Sequence, residues 1–440
     1  MTSDVTIITS VESLRQLATL RLSTVVNCLS SALETLAKVS GDLPTARGKA
    51  DGQYSVSKSQ TEISLEVHQS QAYLLHLLDS CLTATWRQRA ESSTPQPSEI
   101  PRFWQDPPPL DESSARTLLN ILVTYLRFAS NETAQHTGTA SPAPSRDGRG
   151  QSSALLSWGH DGLHHSASSV LPTSFLQSHI QSRQGRGSIS REDQHFDCSN
   201  VSNVVDSVSQ TTRYLGQIIF YLSSSNWNFV FSRIRSRLAY LTTTIEDMPD
   251  LIELRLLQWS NLNRVRLCQL MQETSNVFLH IKRPSQIAFA SVMHSAIWNW
   301  IDTNPEEFDI LVGSDRRIDG NPEALFDMLY SMTDFSSSNA KRTAVFYPLL
   351  AMILVICPDL FKKVVVGEPG GKSSGLSKKY SFMESLKKGL SGSKGFEPSV
   401  ACYVVFIKAA MRISPRHSLS GLRSLLPEAL HDLKAGPLDV

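Results

Sequence analysis

The chain has 440 residues, 41% of them apolar, and 42 Lys and Arg nearly balance 41 Asp and Glu, for a formal charge of +1. That supports a real hydrophobic core in two to four domains or one extended repeat array, and it excludes a global electrostatic pull toward nucleic acid. The six cysteines, Cys28, Cys81, Cys198, Cys268, Cys357 and Cys402, contain no Cys-x-x-Cys pair; the spacing excludes a zinc-ribbon or dithiol redox motif and suits a reducing compartment.

The N-terminus, MTSDVTIITS, has no basic region ahead of an apolar core, so a secretory signal is not expected and the cytoplasm is the expected location. Leu14, Leu17, Ala18, Val25, Val26, Leu29, Leu33 and Leu36 then recur at steps of three and four, the spacing of one helix face. After a polar stretch over 40–59, Leu65, Tyr73, Leu74, Leu77, Leu78 and Leu82 predict a second helical run. Together these give an N-terminal helical segment over 1–90. Six prolines between Pro95 and Pro109 mark a linker over 91–112, because proline lacks the amide that a helix or central strand requires. A short helix is expected over 113–130.

From residue 131 to 200 only ten residues are Leu, Ile, Val or Phe, whereas fourteen are Ser. So little apolar area does not offset an ordering cost of roughly 1–2 kcal/mol per residue, so a disordered insertion is expected. His160, His164 and His165 have a spacing that suits a metal on a helix, but their Gly- and Ser-rich setting offers no rigid frame, and no metal site is expected. Ser188 follows Arg183 and Arg186 and is a candidate for basic-directed phosphorylation.

A helical repeat region is predicted over 201–366. Val205, Val208, Leu215, Ile218, Ile219 and Leu222 define one helix, and Asp250 with Glu253 fits a capping box ahead of a long run to Ile281. Pro284 closes that run or starts the next. Asn304-Pro305-Glu306-Glu307 and Asn321-Pro322-Glu323 both read as helix starts, with asparagine at the cap, proline in the first turn and acids near the positive end. Trp259, Phe278, Phe289, Trp298 and Trp300 lie in apolar helical surroundings and are expected in the core. Ala344 to Cys357 is a fourteen-residue apolar run ended by Pro358, below the ~20 residues of a membrane-spanning helix and the length of a buried one.

Gly367-Glu368-Pro369-Gly370-Gly371-Lys372-Ser373 superficially resembles a phosphate loop, but the required first glycine falls on Val366, so a flexible loop over 367–379 is expected instead. Lys372, Lys378, Lys379, Lys387, Lys388 and Lys394 face a single acid, Glu384, across that span. They form a candidate electropositive contact for an anionic membrane surface, a phosphorylated partner or an acidic protein face. Further helices are predicted within 380–435. No hydrolase elbow, zinc-protease helix or dinucleotide-binding glycine run occurs. Catalytic, cofactor-binding and metal-binding residues are therefore all expected to be absent. The expected fold class is all-α: an irregular HEAT- or armadillo-like solenoid with disordered insertions, with a compact helical domain as the alternative.

The C-terminal half resembles the neurofibromin and fungal Ira family of Ras GTPase-activating proteins. The resemblance rests on Ala296-Ile297-Trp298-Asn299-Trp300, Asn304-Pro305-Glu306-Glu307-Phe308, Leu325-Phe326-Asp327 and Lys341-Arg342. It continues through the apolar block to Pro358, Phe382 to Leu390, Ala401-Cys402 and Lys408-Ala409. It covers residues 290 to 435 and extends more thinly back to 201; the low-complexity insertion looks like a fungal elaboration. The matching region of that family lies upstream of the catalytic domain, whose arginine finger stabilises charge on the transferred phosphoryl group. Leu126-Arg127-Phe128 is similar to part of the catalytic signature, but Ala129-Ser130-Asn131-Glu132 departs from it, and no finger is assigned to Arg127.

The resemblance implies a noncatalytic scaffold region serving negative regulation of Ras. Protein partners or self-association are expected through the helices, and Ras engagement only through a downstream domain. Peripheral contact with an anionic membrane is a further expectation, and no nucleic acid is expected. The alternatives are a helical adaptor unconnected with Ras and an enzyme whose site gathers dispersed residues.

Overall fold

Every regular element among the described residues is helical. The structure, a computed structural model, describes residues 2–42, 58–92, 106–136, 204–246, 249–313, 321–333, 346–361, 364, 382–390, 396–412 and 431. They fall into two compact units, and the helix Trp227–Thr243 contributes to the first up to Arg233 and to the second from Ile234. The expected 131–200 insertion lies outside the described residues from 137 onward, as does the 367–379 loop. No described helix is long and apolar enough to cross a membrane.

The first unit is built from α1 (Thr2–Leu20), α2 (Leu22–Asp42), α3 (Lys58–Ser92), α4 (Glu112–His136) and α5 (Val204–Ser225). α1 and α2 pack on each other and on α3, α4 packs on α2 and α5, and α5 returns to α3. Of the expected stripe, Ala18, Val25, Val26, Leu29 and Leu33 are buried, but Leu17 is 48% exposed. It directly precedes Ala18, so it is turned about 100° away from the buried face. Tyr125 of α4 donates its hydroxyl to the Leu33 carbonyl at 2.9 Å, giving a buried phenol its partner and tying α4 to α2.

α4 starts at a side-chain cap. Asp111 accepts from the Ser114 amide at 3.0 Å and from the Ser113 and Ser114 hydroxyls at 2.6 and 2.7 Å. These bonds, led by the one from Ser113, hold its carboxyl well below the usual carboxylate range. The helix runs to His136, beyond the residue-130 limit expected for it. The extended segment before it is pinned as well. Asn226 accepts from the Leu110 amide and donates to the Leu110 carbonyl, both at 3.0 Å, so one amide side chain satisfies a backbone that proline-rich sequence leaves without a ladder.

The single run expected from Asp250 to Ile281, which belongs to the second unit except for Trp259–Asn261, is broken. Asp250 accepts from the Ile252 amide at 2.9 Å, but the chain then forms only a 3-10 turn (Ile252–Arg255) and a one-turn helix, α7 (Leu256–Trp259); Trp227–Thr243 is α6. After Trp259 the backbone leaves helix, and α8 (Arg264–Val277) restarts at Asn263, whose side chain accepts from the Arg266 amide at 2.9 Å. Ser260, Asn261 and Asn263 compete with helical backbone for hydrogen bonds, and this favours a break and a new cap over a continuous helix.

Pro284 opens α9 (Arg283–Thr303), and Pro305 and Pro322 open α10 (Pro305–Gly313) and α11 (Pro322–Met332), as their spacing predicts. The two asparagines do not cap by side chain, however. Asn321 makes no side-chain cap bond and sits in the left-handed region at φ 57°. Asn304 turns its amide to the Leu262 carbonyl and to the Thr303 hydroxyl, each at 2.9 Å.

The apolar run folds as α12 (Phe346–Ile356), with every residue buried. α9, α10, α11 and α15 (Phe396–Arg412) all pack against it. A helix walled on several sides needs apolar residues around its whole circumference, which is why this segment lacks an amphipathic stripe. Each large side chain there stabilises the unit by about 1.5–3 kcal/mol. The short α13 (Pro358–Phe361) begins at the proline, and α14 (Phe382–Leu390) lays Phe382, Leu386 and Leu390 into the core beside α15.

Candidate functional site

Of the expected lysine patch, Lys387 and Lys388 lie on α14, and Lys387 is exposed on a helix that buries Phe382, Leu386, Gly389 and Leu390. Lys372, Lys378, Lys379 and Lys394 lie outside the described residues, as do Ser188 and the His160, His164 and His165 group. Arg127 is exposed on α4.

A different cationic site is fully described in the second unit. His294, Trp298 and Asp302 stand four residues apart on α9, and Lys408 and Arg412 four apart on α15, so each set lines one helix face. The two faces meet around the Trp298 indole. Lys408 Nζ lies 5.9 Å and Arg412 Cζ 5.3 Å from the ring centre, and the His294 ring meets it edge-on at 6.5 Å. Arg412 Nε donates to Asp302 Oδ1 at 2.7 Å, and its Nη2 pairs with the same oxygen. Stacking and pairing fix the guanidinium, a use for which arginine suits better than lysine.

Trp298 is thus not the core residue that its surroundings suggest, although Trp259, Phe278, Phe289 and Trp300 are buried as expected. Burial, and then the charge of Lys408, lowers the His294 pKa to about 4. Its Nε2 is buried with no hydrogen-bond partner among the described residues. Burial and the neighbouring Lys408 both disfavour a second cation there, so the imidazole is held neutral. Next to the seam, Met411 is 77% exposed.

The first unit contains its own polar cluster. Asp79 of α3 lies in the field of Arg213, Arg87 and Arg15, yet burial outweighs all three and raises its pKa to about 7. On the same helix, the His76 ring lies 5.0 Å from that of Tyr214, and Ser80 accepts from Arg15 at 3.5 Å. The cluster draws on α1, α3 and α5, so it bears on how these helices pack.

These groups can hold helices together and present charge at a surface. Among the described residues no three His, Cys, Asp or Glu side chains gather as a metal site. The seam around Trp298 has a partial signature in sequence, the i, i+4 spacing on each helix, but Trp298 and Lys408 are separated by 110 positions and nothing local pairs them. No protein-family model matches the chain.

Proposed function

We propose that this chain is a noncatalytic scaffold region of a Ras GTPase-activating protein of the neurofibromin and Ira type, arranged as an irregular HEAT- or armadillo-like solenoid. The observation that carries this reading is the packing order within each unit. Chain neighbours pack on one another, α1 on α2, α2 on α3, α9 on α10 and α14 on α15, alongside the longer-range pairs of α3 with α5 and of α12 with α9 and α15. Such arrays build contact surfaces from successive helices, and their energy goes into neighbour interfaces rather than a single enclosed cleft. The residues that carry the resemblance lie in the core: Trp300, Phe308, Phe326, Phe382 and Cys402 are all buried.

The work of the scaffold is to hold protein partners or a second copy of itself, with the lysines around Lys387 adding contact to an anionic membrane surface. Ras itself is engaged by a catalytic domain outside this region. The test is paired. GTP hydrolysis by Ras, measured with this chain alone, should show no acceleration, and light scattering should show self-association. Strong acceleration removes the noncatalytic reading, and a strict monomer removes self-association.

A further inference from the structure

α15 buries one side against α12 and α14. On its outer side Val400, Val404 and Ile407 are part-exposed, and Met411 is 77% exposed. Their spacing of four, three and four is that of an interhelical seam, with Val400 and Ile407 at d positions and Val404 and Met411 at a positions. The row is about 16 Å long at the helical rise, and no described residue covers it fully.

In this frame Lys408 takes the e position, one turn from Val404 on one side and from Met411 on the other. Its ammonium lies 5.9 Å from the centre of the Trp298 indole and meets no carboxylate among the described residues. Arg412 is already paired with Asp302, so Lys408 is the uncompensated charge of the seam. The opposite flank of the row is closed, because Tyr403 and Ala410, at the g positions, are buried in the unit. A helix laid on the row therefore meets Lys408 along its open edge. In a two-fold pairing of α15 with a second copy, the antiparallel arrangement sets Lys408 near Lys408, and the parallel one sets it against the closed flank. Neither supplies an acid.

We propose that the outer face of α15 docks an amphipathic helix of a protein partner, one whose apolar seam is flanked by acidic side chains. Val400, Val404, Ile407 and Met411 take the partner's apolar row, the mode by which helices recognise helices. Lys408 donates to a carboxylate at the edge, with its ammonium steadied over the Trp298 face. Apolar contact supplies most of the affinity, and the charge selects the partner, since a basic flank would set like charges together. The docking gives the scaffold proposed above a class of partner. It rests on that reading only in that the helices serve to hold proteins, and it does not depend on Ras.

The test uses the full chain and two fluorescent peptides of about 20 residues, long enough to form helix. Both carry leucines at alternating steps of three and four; glutamates flank that seam in one and lysines in the other. In fluorescence anisotropy at low salt the glutamate peptide should bind about tenfold more tightly than the lysine peptide. Lys408→Glu should reverse that order, and Met411→Asp should abolish binding of both. If Lys408→Glu fails to fold, Lys408→Gln should erase the preference; Met411 is an exposed position whose replacement spares the core. Equal binding of the two peptides, or binding that survives Met411→Asp, overturns the proposal. So does a wild-type dimer that Met411→Asp splits, which gives the face to a second copy. Pelleting with phosphatidylserine vesicles that Met411→Asp abolishes, without binding of either peptide, overturns it in favour of a membrane. Ras hydrolysis is measured separately: acceleration there removes the noncatalytic reading and leaves this interface standing.

Discussion

Trp300 donates its indole N–H to Glu307 at 2.8 Å, and the other oxygen of that carboxylate accepts from the Arg264 amide at 3.0 Å. Glu307 sits in the first turn of α10, where an acid ordinarily serves its own helix, but it meets an orphan amide at the start of α8 instead. One side chain thus joins three helices of the second unit, and Asn304 reinforces the same corner through the Leu262 carbonyl.

Replacing Glu307 with Ala removes both acceptors and leaves a largely buried indole N–H and a helix-start amide unpaired. Hydrogen bonds to a charged group are worth about 1.5–3 kcal/mol, so a loss of roughly 2–3 kcal/mol is expected. Glu307→Gln keeps one carbonyl acceptor and should lose less. Guanidinium denaturation followed by Trp fluorescence distinguishes the two; equal stability of Glu307→Ala and wild type would show that the corner does not depend on this carboxylate.

Asp79 gives a pH dependence of opposite sign to the usual acid limb. Its folded pKa, raised to about 7 by burial, lies above the ordinary value of 3.8, so the folded state binds its proton more tightly than the unfolded state. Its contribution to stability is present below pH 4 and declines as pH rises toward 7, where the carboxyl ionises in place. Asp79→Asn should flatten that decline and raise the melting temperature at pH 8 more than at pH 4. Parallel melting curves for the two proteins across this range would contradict the account.

Asn321 adopts the left-handed conformation immediately before Pro322, and its carbonyl accepts from the Leu325 amide at 3.3 Å to begin α11. Asparagine and glycine tolerate that region; a side chain with an ordinary Cβ pays roughly 1–2 kcal/mol. Asn321→Ala should lose about that much, whereas Asn321→Gly should stay near wild type. Urea midpoints provide the comparison, and an alanine variant as stable as the glycine one would rule out a conformational origin.

Helix starts are legible wherever proline and an N-cap residue coincide, because both act through local backbone geometry. Pro305 and Pro322 open their helices where expected. The further roles of Asn304 and Glu307 are not legible, since Leu262, Arg264 and Trp300, which they meet, lie on other elements. The expected run from Asp250 to Ile281 fails for a related reason. Its apolar spacing suits a continuous helix, but Asn261 turns to Ser223 and Ser224 and Asn263 caps a new helix at the Arg266 amide, which breaks it. The apolar neighbours of Trp298 point to the core, although its position on the α9 face puts it against Lys408 and Arg412.

The amino-acid order by itself determined that the described chain is helical, where several helices begin, and that Phe346–Ile356 would be buried on every side. All three depend on periodicity, capping and unbroken apolarity, which act within a few residues. Only the tertiary structure decided which charges meet Trp298 and which amide Glu307 serves. Contacts between positions tens of residues apart depend on how whole helices are placed, and no local pattern encodes that placement.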